Sequence, residues 1–479
     1  MPLDRKGLAN VTQQLLAARR AECGRLNMIY QYFHNEIIDI YVPKSATEEY
    51  RKLVDQSRFN ILPLLVSSVA NNLFIDGYRT GRSNKNSDVW EKVWQPNRMD
   101  ARQGGLWREA LKYGMSYARV LPGKTAPVIT PFSPRRCTAL YEDAINDEWP
   151  VYALAVGTPR VVPGSVSRVV TVAVYDDTTE YKMELPAGAT WTQSVGQTTH
   201  PTVENFAINT DMVRASDHSL GVTPIVRMLS KRDDLDDGPR GVIEPMLPAQ
   251  RQLNQTTFGL LMAQQYAAFK QRWVTGFAVP EDEDGNPIEP WNAAVNRVFI
   301  AEDETTKFGE FSETNLDGYL SSRDKTLLYV SSVRQIPPHT MVVGNAVSNI
   351  SAEALAALEA GHQQDIAECK TSLGEDGEQV LRLGALAAGD TKGWEDLSAS
   401  VRWRDTTPRS LAQVADALGK LATLLGVPAR ALWERIPDVT DQDLEQWETL
   451  AREDDLFSKL NESLNAEPGR KRPNAPAPA

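Results

Sequence analysis

The chain has 479 residues, of which 42% are hydrophobic, and its formal net charge at pH 7 is −12. This length predicts two to four domains with a sizeable core, and the sequence contains no run of about 18 apolar residues that could span a membrane. A tight, generic DNA-binding protein normally has a basic surface, so the acidic balance argues against that class, although not against a protein that handles DNA without gripping it.

The N-terminal half is predicted to form one α+β domain over residues 1–240. Apolar residues at helical spacing predict a helix over 8–37 and a second over 48–73, which is interrupted near Pro63. From 126 to about 228, short apolar runs alternate with Pro, Gly, Ser and Asp residues. This pattern indicates short strands joined by turns.

Three long helices are predicted for the centre of the chain. The first, over 249–272, contains no proline and would be about 36 Å long. Its apolar residues are spread around a surface of Gln, Thr and Ala, so copies of the helix would bury it better than one compact core. The second helix covers about 316–334 and ends before Pro337–Pro338. The third helix covers about 351–374.

Charge is distributed unevenly around these helices. The segment 337–351, between the second and third helices, has fifteen residues and no Asp, Glu, Lys or Arg. The segment 277–310, between the first and second helices, has nine acidic and two basic residues. Its net charge of −7 is more than half of the charge of the whole chain.

The C-terminal region is predicted to be helical over 395–465. One helix begins near Thr407, where a proline at the next position favours helix initiation, and it ends at Gly426. Another helix begins at Pro428. Residues 466–479 are rich in Pro and Ala and are predicted to be disordered.

This order of parts resembles the portal proteins of tailed double-stranded DNA bacteriophages. The resemblance covers most of the chain and is carried, in order, by LVSSVANNLFIDGYRTG, LWREALKYGMSYARV, LNQTTFGLLMAQQYAAFKQRWVTG, FSETNLDGYL and PPHTMVVGNAVSNISAEAL. It implies an α+β portal-type subunit with an N-terminal α/β wing, long stem helices, a small β-containing clip and a helical crown. The implied segments are the wing (1–240), first stem helix (241–272), clip (273–311), second stem helix (312–336), tunnel loop (337–351), long helix and wing return (352–394), and crown (395–465).

The resemblance also implies the function. It implies a dodecameric ring at one vertex of the phage head, through which double-stranded DNA passes during packaging and ejection. The implied partners are further copies of the chain, the terminase large subunit, the head–tail adaptor, and the major capsid and scaffolding proteins. We expect a virion protein that assembles in the host cytoplasm, with no enzymatic activity, cofactor, metal or membrane contact.

In this family the tunnel loop lines the narrowest part of the DNA channel. A sliding duplex must not meet a deep binding minimum, and each Lys or Arg that neutralises a phosphate adds salt-sensitive affinity. Small neutral groups can approach DNA without holding it. The residues predicted to do so are Thr340, Val342, Val343, Gly344, Asn345, Ser348 and Asn349. An ordinary neutral surface loop is the alternative, and the two flanking helices favour the channel.

The acidic segment falls within the implied clip, which faces the packaging motor. We interpret it as a docking surface for basic patches on a motor or adaptor, whereas a solvated hairpin is the alternative. The residues assigned to docking are Glu281, Asp282, Glu283, Asp284, Glu302 and Asp303. The first stem helix carries Arg251, Lys270 and Arg272 and no acid, and these bases either pair with a neighbouring subunit or lie near DNA.

Two other classes of protein stay open. One is an oligomeric cytosolic enzyme that processes nucleic acid with a site of dispersed acidic residues. The other is a capsid or adaptor protein without a channel, which would not need the order of stem, loop and stem. The five histidines are scattered, and the three cysteines are widely spaced, which indicates a reducing compartment rather than a disulfide framework.

Overall fold

The computed structural model of the chain divides into two units, Met1–Arg404 and Asp405–Ala479. The first unit combines helices with several antiparallel sheets, which confirms the predicted α+β class. The structure describes residues 3–37, 39–80, 86–158, 160–161, 168–186, 191–192, 200–201, 213–232, 238–267, 272–276, 306–310, 316–341, 352–406, 411–436, 439, 443–444 and 446–455.

Helices make up most of the described chain. Those of the first unit are α1 (Arg5–Phe33), α2 (Glu48–Gln56), α3 (Leu62–Ala70), α4 (Met99–Tyr113), α5 (Leu247–Ala267), α6 (Asp317–Arg334), α7 (Pro338–Met341), α8 (Ala352–Ala387) and α9 (Thr391–Glu395). Those of the second unit are α10 (Leu411–Leu425) and α11 (Ala429–Leu432). Among the described residues, no helix is both long enough and apolar enough to cross a membrane.

The strands among the described residues belong to the first unit. They are β1 (Ile75–Arg79), β2 (Met115–Leu121), β3 (Val128–Phe132), β4 (Cys137–Leu140), β5 (Tyr152–Val156), β6 (Arg160–Val161), β7 (Arg168–Tyr175), β8 (Thr179–Pro186), β9 (Trp191–Thr192), β10 (His200–Pro201), β11 (Arg214–Asp217), β12 (Ile225–Leu229), β13 (Arg272–Thr275), β14 (Lys307–Glu310) and β15 (Ser400–Trp403). The largest sheet has the order β11-β8-β7-β5-β4, with β6 beside β7, and a second sheet has the order β12-β2-β3.

The middle of the largest sheet, at β7, packs against other elements on both faces. Val172 and Val174 of β7 pack with the apolar face of α1 that includes Leu15. Ala173 and Tyr175, on the opposite face of the same strand, pack with residues of β2 and β12. Successive side chains of a strand point to opposite faces, so one strand can serve two cores. This sheet therefore joins α1 to the second sheet.

The central core gathers most of the remaining helices. Residues of α1, α3, α4, α5, α6 and α8 contribute to one continuous apolar cluster, which includes the fully buried Trp94 and Trp107. Pro63 lies in the first turn of α3, where a proline is tolerated, and the break predicted between α2 and α3 is confirmed. The helix ending at Gly426 is also confirmed, since α10 stops at Leu425 and Gly426 has a left-handed φ of 67°.

The first residues of the predicted helical crown (395–465) form a strand rather than a helix. These residues include β15, which pairs antiparallel with β1, and Tyr78 lies opposite Val401 in the register. The guanidinium of Arg402 also binds Asp76 at 2.8 Å. The strand forms because it satisfies the open edge of β1 and covers α8 with apolar side chains, a benefit that the local sequence does not reveal.

The first and third central helices also differ from their predicted ends. α5 ends at Ala267, and Arg272 lies on β13, which pairs with β14, so the stem helix predicted to reach Arg272 is too long. α8 runs to Ala387 instead of ending at Gly374. Gly374 lets α8 approach the indole of Trp403, since a Cβ there would lie 3.3 Å from its Nε1. The second helix, α6, has the predicted extent.

The end of α4 requires glycine, and this requirement generates a test. Gly114 has a φ of 91°, and a Cβ there would lie 2.6 Å from the backbone of Pro239. We expect Gly114→Ala to lower the free energy of unfolding by roughly 3 kcal/mol or more, because it adds both backbone strain and overlap. Denaturant unfolding followed by circular dichroism measures the change.

The matched control is Gly105→Ala, within the same helix. A Cβ at Gly105 meets nothing within 4 Å, so we expect this change to raise the free energy of unfolding by up to about 1 kcal/mol. Equal effects of the two substitutions would contradict the close crossing at Gly114.

Candidate functional site

The candidate site is built on the pair of helices α5 and α6 and on the segment that follows α6. α5 packs against α6, and the β13–β14 ladder connects the two beyond the end of α5. Gly259 of α5 allows close packing, because a Cβ there would lie 2.9 Å from the ring of Tyr319 in α6. Leu253 of α5 and Leu327 of α6 enter the central core. The two helices are thus fixed to the body of the first unit.

A buried polar clamp holds the start of α5. Gln250 donates its amide to the Phe59 carbonyl oxygen at 2.7 Å and accepts the Ile61 backbone N–H at 3.1 Å. Asn254, one turn later, accepts the Phe59 backbone N–H at 3.3 Å and the Gln250 amide at 2.9 Å. Both side chains are buried, and their main-chain partners lie in the connection between α2 and α3. Because each of these buried groups would be costly to leave unpaired, the clamp fixes the orientation of α5.

Arg251 pairs within its own chain. Its Nε donates to the Tyr32 hydroxyl at 2.6 Å and lies 3.5 Å from the Asp39 carboxylate. The Tyr32 hydroxyl in turn donates to Asp39 at 2.6 Å. The hydrogen bond with Tyr32 is the main cause of the raised pKa of Arg251. Arg251 was predicted to lie either against a neighbouring subunit or near DNA, and a partner in the same chain was not considered. Of the other two stem bases, Arg272 lies on β13, and Lys270 lies outside the described residues.

The end of α6 is tied to α8 by a small ion network. Arg334, in the last turn of α6, lies 3.2 Å from the Asp365 carboxylate of α8. Lys231, which follows β12, contacts Asp365 at 2.6 Å and Glu368 at 2.7 Å. Burial lowers the pKa of Lys231, but its hydrogen bonds to Asp365 and Glu368 outweigh this effect and raise the pKa above its ordinary value. Asp365 therefore joins three elements.

The backbone at this junction is capped as well. Gln335 has a left-handed φ of 52°, and the Ile336 N–H returns to the Ser331 carbonyl oxygen at 3.0 Å. The Ser331 hydroxyl donates to the Ile336 carbonyl oxygen at 2.5 Å. These bonds satisfy groups that the end of a helix would otherwise leave unpaired. The chain thus leaves α6 in a defined direction.

A second buried carboxylate, that of Asp376, holds α8 about three helical turns after Asp365. Asp376 accepts the Leu229 backbone N–H at 2.7 Å and pairs with the guanidinium of Arg232. Arg232 also donates to the Ser372 hydroxyl at 2.6 Å. Complete burial raises the pKa of Asp376 to about 6, although the Arg232 charge and the backbone N–H oppose the shift. Together with Asp365, it holds α8 to the end of β12.

The segment predicted as the tunnel loop begins with helical structure. α7 covers Pro338–Met341, and the Thr340 hydroxyl donates to the Pro337 carbonyl oxygen at 2.7 Å. Thr340 was predicted to lie in a loop near DNA, and its hydroxyl is instead bonded to the main chain one turn earlier. The other predicted tunnel residues lie outside the described residues: Val342, Val343, Gly344, Asn345, Ser348 and Asn349. The same holds for the predicted clip residues Glu281, Asp282, Glu283, Asp284, Glu302 and Asp303.

Sequence reasoning missed an exposed apolar face on α6. Tyr329 is 71% exposed and Val333, one turn later, is 67% exposed. Val330 and Ser331, on the opposite side of the helix, are buried. The spacing of four residues between Tyr329 and Val333 could have shown that they share a face, but not which face the core would leave open. An exposed apolar patch of this kind commonly marks a protein interaction surface.

Within the described part of the chain, no group of three or more His, Cys, Asp or Glu residues could hold a metal ion. His218 and His362 each face a backbone carbonyl oxygen, of Asp176 and Ser68 respectively. Both imidazoles are thus buried against the main chain.

Comparison with known proteins gives a consistent result along the chain. The family described as phage portal protein, SPP1 Gp6-like, matches residues 13–455. The portal protein of Mycobacterium phage L5 is 24% identical over 379 residues, which cover 75% of this chain and 71% of that protein. The portal protein of Mycobacterium phage D29 is 25% identical over 374 residues, with the same coverage of 75% and 71%.

Two solved structures of gene transfer agent (GTA) particles contain similar chains. One, from the neck of an empty GTA particle, has a TM-score of 0.42 and 13% identity, and the match covers 84% of this chain and 93% of that chain. The other, from the neck of a native GTA particle, has a TM-score of 0.42 and 11% identity, with coverage of 84% and 93%.

The Asp365 network yields a stability prediction. We expect Asp365→Asn to lower the free energy of unfolding by roughly 2–3 kcal/mol, because Arg334 and Lys231 would lose their shared, nearly buried partner. Chemical denaturation of the purified chain measures the loss.

Asp416→Asn is the matched control. Asp416 pairs with Lys420 on α10, but both side chains are 64% exposed, so we expect a loss below about 0.5 kcal/mol. If the two substitutions cost the same, Asp365 does not hold the end of α6 to α8.

Proposed function

The chain belongs to the SPP1 Gp6-like family of phage portal proteins, and from this premise we propose that it forms a ring-shaped channel at one vertex of a phage capsid. Double-stranded DNA enters through this channel during packaging and leaves through it during ejection. The subunit is structural, and the energy for packaging comes from an external motor. Its proposed place is the virion, after assembly in the host cytoplasm.

The exposed apolar face of α6 is the observation that carries this proposal. One side of α6 packs into the core of its own subunit, while Tyr329 and Val333 are left to solvent in the isolated chain. A closed ring would cover this face with a neighbouring copy, since head-to-tail contacts around a rotation axis bury one patch of each subunit against a different patch of the next. Burying large apolar side chains stabilises such a contact by roughly 1.5–3 kcal/mol each.

The rigid junction between α6 and α8 supports a channel role for the segment between them. The predicted tunnel loop leaves α6 after a capped end and rejoins the fold at α8. Arg334 and Asp365 hold these two helices together near that loop. Fixed attachment points would keep the loop at a constant radius while DNA moves past it. The absence of Asp, Glu, Lys and Arg from 337–351 suits passage without adhesion.

The acidic clip is proposed to dock the proteins that work on the ring from outside. The segment 277–310 has a net charge of −7, which would attract basic patches on the terminase large subunit and later on a head–tail adaptor. Its charge would also repel DNA from the channel wall at this level. The capsid and scaffolding proteins are the remaining proposed partners, at the outside of the ring.

The first test concerns assembly through α6. We expect Tyr329→Ser combined with Val333→Ser to require at least about tenfold more protein to form rings, because each interface loses buried apolar area. Sedimentation velocity over a concentration series, with negative-stain electron microscopy, measures ring formation.

The matched control is Tyr41→Ser, since Tyr41 is 79% exposed and belongs to the connection between α1 and α2 rather than to α6. This variant should assemble like the wild type. A double α6 variant that also assembles like the wild type, and unfolds at the same temperature, would contradict the proposed interface.

The second test concerns the tunnel loop. Asn345→Lys would add one positive charge per subunit to the proposed constriction, so we expect slower DNA packaging and a steeper dependence on salt. Asn345→Ser should package like the wild type. Packaging rate and packaged DNA length across a salt series, with ring assembly checked separately, measure both variants. Wild-type packaging by the Lys variant at low salt would remove this loop from the constriction.

A further inference from the structure

A basic cleft in the first unit is not used by the proposed channel. Its volume is about 750 Å³, and its walls come from α1, α4, β3 and the inner face of the largest sheet. Six cationic side chains line it: Lys112, Arg119, Arg135, Arg136, Arg160 and Lys182. The lining includes one carboxylate, that of Glu109. This concentration of positive charge stands out in a chain whose net charge is −12.

Nearby carboxylates neutralise only part of the positive charge of the cleft. Lys112 pairs with Glu109 at 2.6 Å, and Lys182 pairs with Glu180 at 2.7 Å. Arg119 shares Glu180 at 3.7 Å, and Arg160 pairs with Glu184. Four of the six cations thus share three carboxylates. Within the described part of the chain, these acids do not form an ion pair with Arg136.

Hydrogen bonds hold the Arg119 side chain in place at the floor of the cleft. Arg119 donates to the Tyr175 hydroxyl at 2.6 Å and to the Thr130 hydroxyl at 3.1 Å. These bonds fix its guanidinium between the rings of Phe132 and Tyr175. The fully buried side chain of Tyr113 also lines the cleft.

The mouth of the cleft holds two neighbouring guanidinium groups. Arg135 lies over the ring of Tyr30, 3.7 Å from its centroid, and Arg136 follows it in the chain. Burial lowers the pKa of Arg136, and the charge of Arg135 lowers it further. A partly buried guanidinium such as that of Arg136, beside a like charge, is stabilised by a bound anion.

We propose that this cleft binds a phosphate-type oxyanion, either as a small free phosphate compound or as the terminal phosphate of a nucleic-acid strand. Guanidinium groups bind phosphate with paired hydrogen bonds, and several cations in a concave site suit a multivalent anion better than a single carboxylate. The volume is that of a small-molecule site and is far too small for a duplex. The proposal concerns the single chain and does not depend on ring formation.

Titration calorimetry of the full chain at low salt tests the site. The probes are pyrophosphate, a 5′-phosphorylated single-stranded oligonucleotide and the same oligonucleotide without its phosphate. Pyrophosphate binding alone assigns a free phosphate compound, and preference for the phosphorylated over the unphosphorylated strand assigns a strand end. If neither phosphate probe binds, or if only an acidic peptide such as oligoglutamate binds, the proposal is overturned.

Variants locate the binding. Arg136→Gln should weaken binding by about tenfold, because a charge-assisted hydrogen bond is lost, and Arg136→Lys should recover part of the affinity. Arg20→Gln is the matched control, since Arg20 is an exposed arginine of α1 that does not line the cleft.

The NMR signal of the His34 ring is an independent readout. This histidine lines the cleft, and burial and the charge of Lys112 lower its pKa. A bound anion should raise the pKa of His34 in the wild type and in the Arg20 variant. Equal affinity of the Arg136→Gln and Arg20→Gln variants, or a His34 pKa that does not respond to pyrophosphate, would overturn the site.

Discussion

The carboxylate of Asp365 is the point on which the arrangement of the central helices depends. It binds Arg334 at the end of α6 and Lys231 after β12, and it belongs to α8 itself. A nearly buried carboxylate needs such partners, since its burial without them would be strongly unfavourable. The buried amides of Gln250 and Asn254 do the same for α5. Because polar contacts with defined geometry hold both helices, their outer faces are free to serve another purpose.

That freedom explains the combination of features on α6. The helix is fixed on one side by the core and at its end by Asp365, yet Tyr329 and Val333 remain exposed. The proposed ring would need this combination, with rigid placement inside the subunit and apolar surface between subunits. The basic cleft shows that charge is also distributed unevenly within the subunit. Net charge describes the field far from the molecule, and a chain with a charge of −12 can still concentrate cations where backbone topology brings them together.

Local signals in the sequence predicted most elements and the fold class. Pro63 and Gly426 mark real helix boundaries, and two of the short apolar runs in 126–228 form β5 and β7. The contacts that the sequence did not predict join residues far apart in the chain. β15 is a strand because it pairs with β1, more than 300 residues earlier in the chain. The extension of α8 past Gly374 and the partners of Arg251 and Asp365 likewise depend on residues that are distant in sequence. Of the predicted site residues, the structure describes Thr340, Arg251 and Arg272. Thr340 lies on a short helix, Arg251 bonds to Tyr32 and Arg272 lies on a strand, and residue spacing predicted none of these.

A cryo-electron microscopy map of the assembled wild-type protein, at a resolution that shows side chains, tests the central claim most directly. The account predicts a closed ring in which Tyr329 and Val333 of each subunit contact the adjacent subunit, while the segment between α7 and α8 points toward the axis. Asp365 should retain Arg334 as its partner in every copy. A ring in which the Tyr329 face of α6 is open to solvent, or a non-ring assembly, would contradict the account.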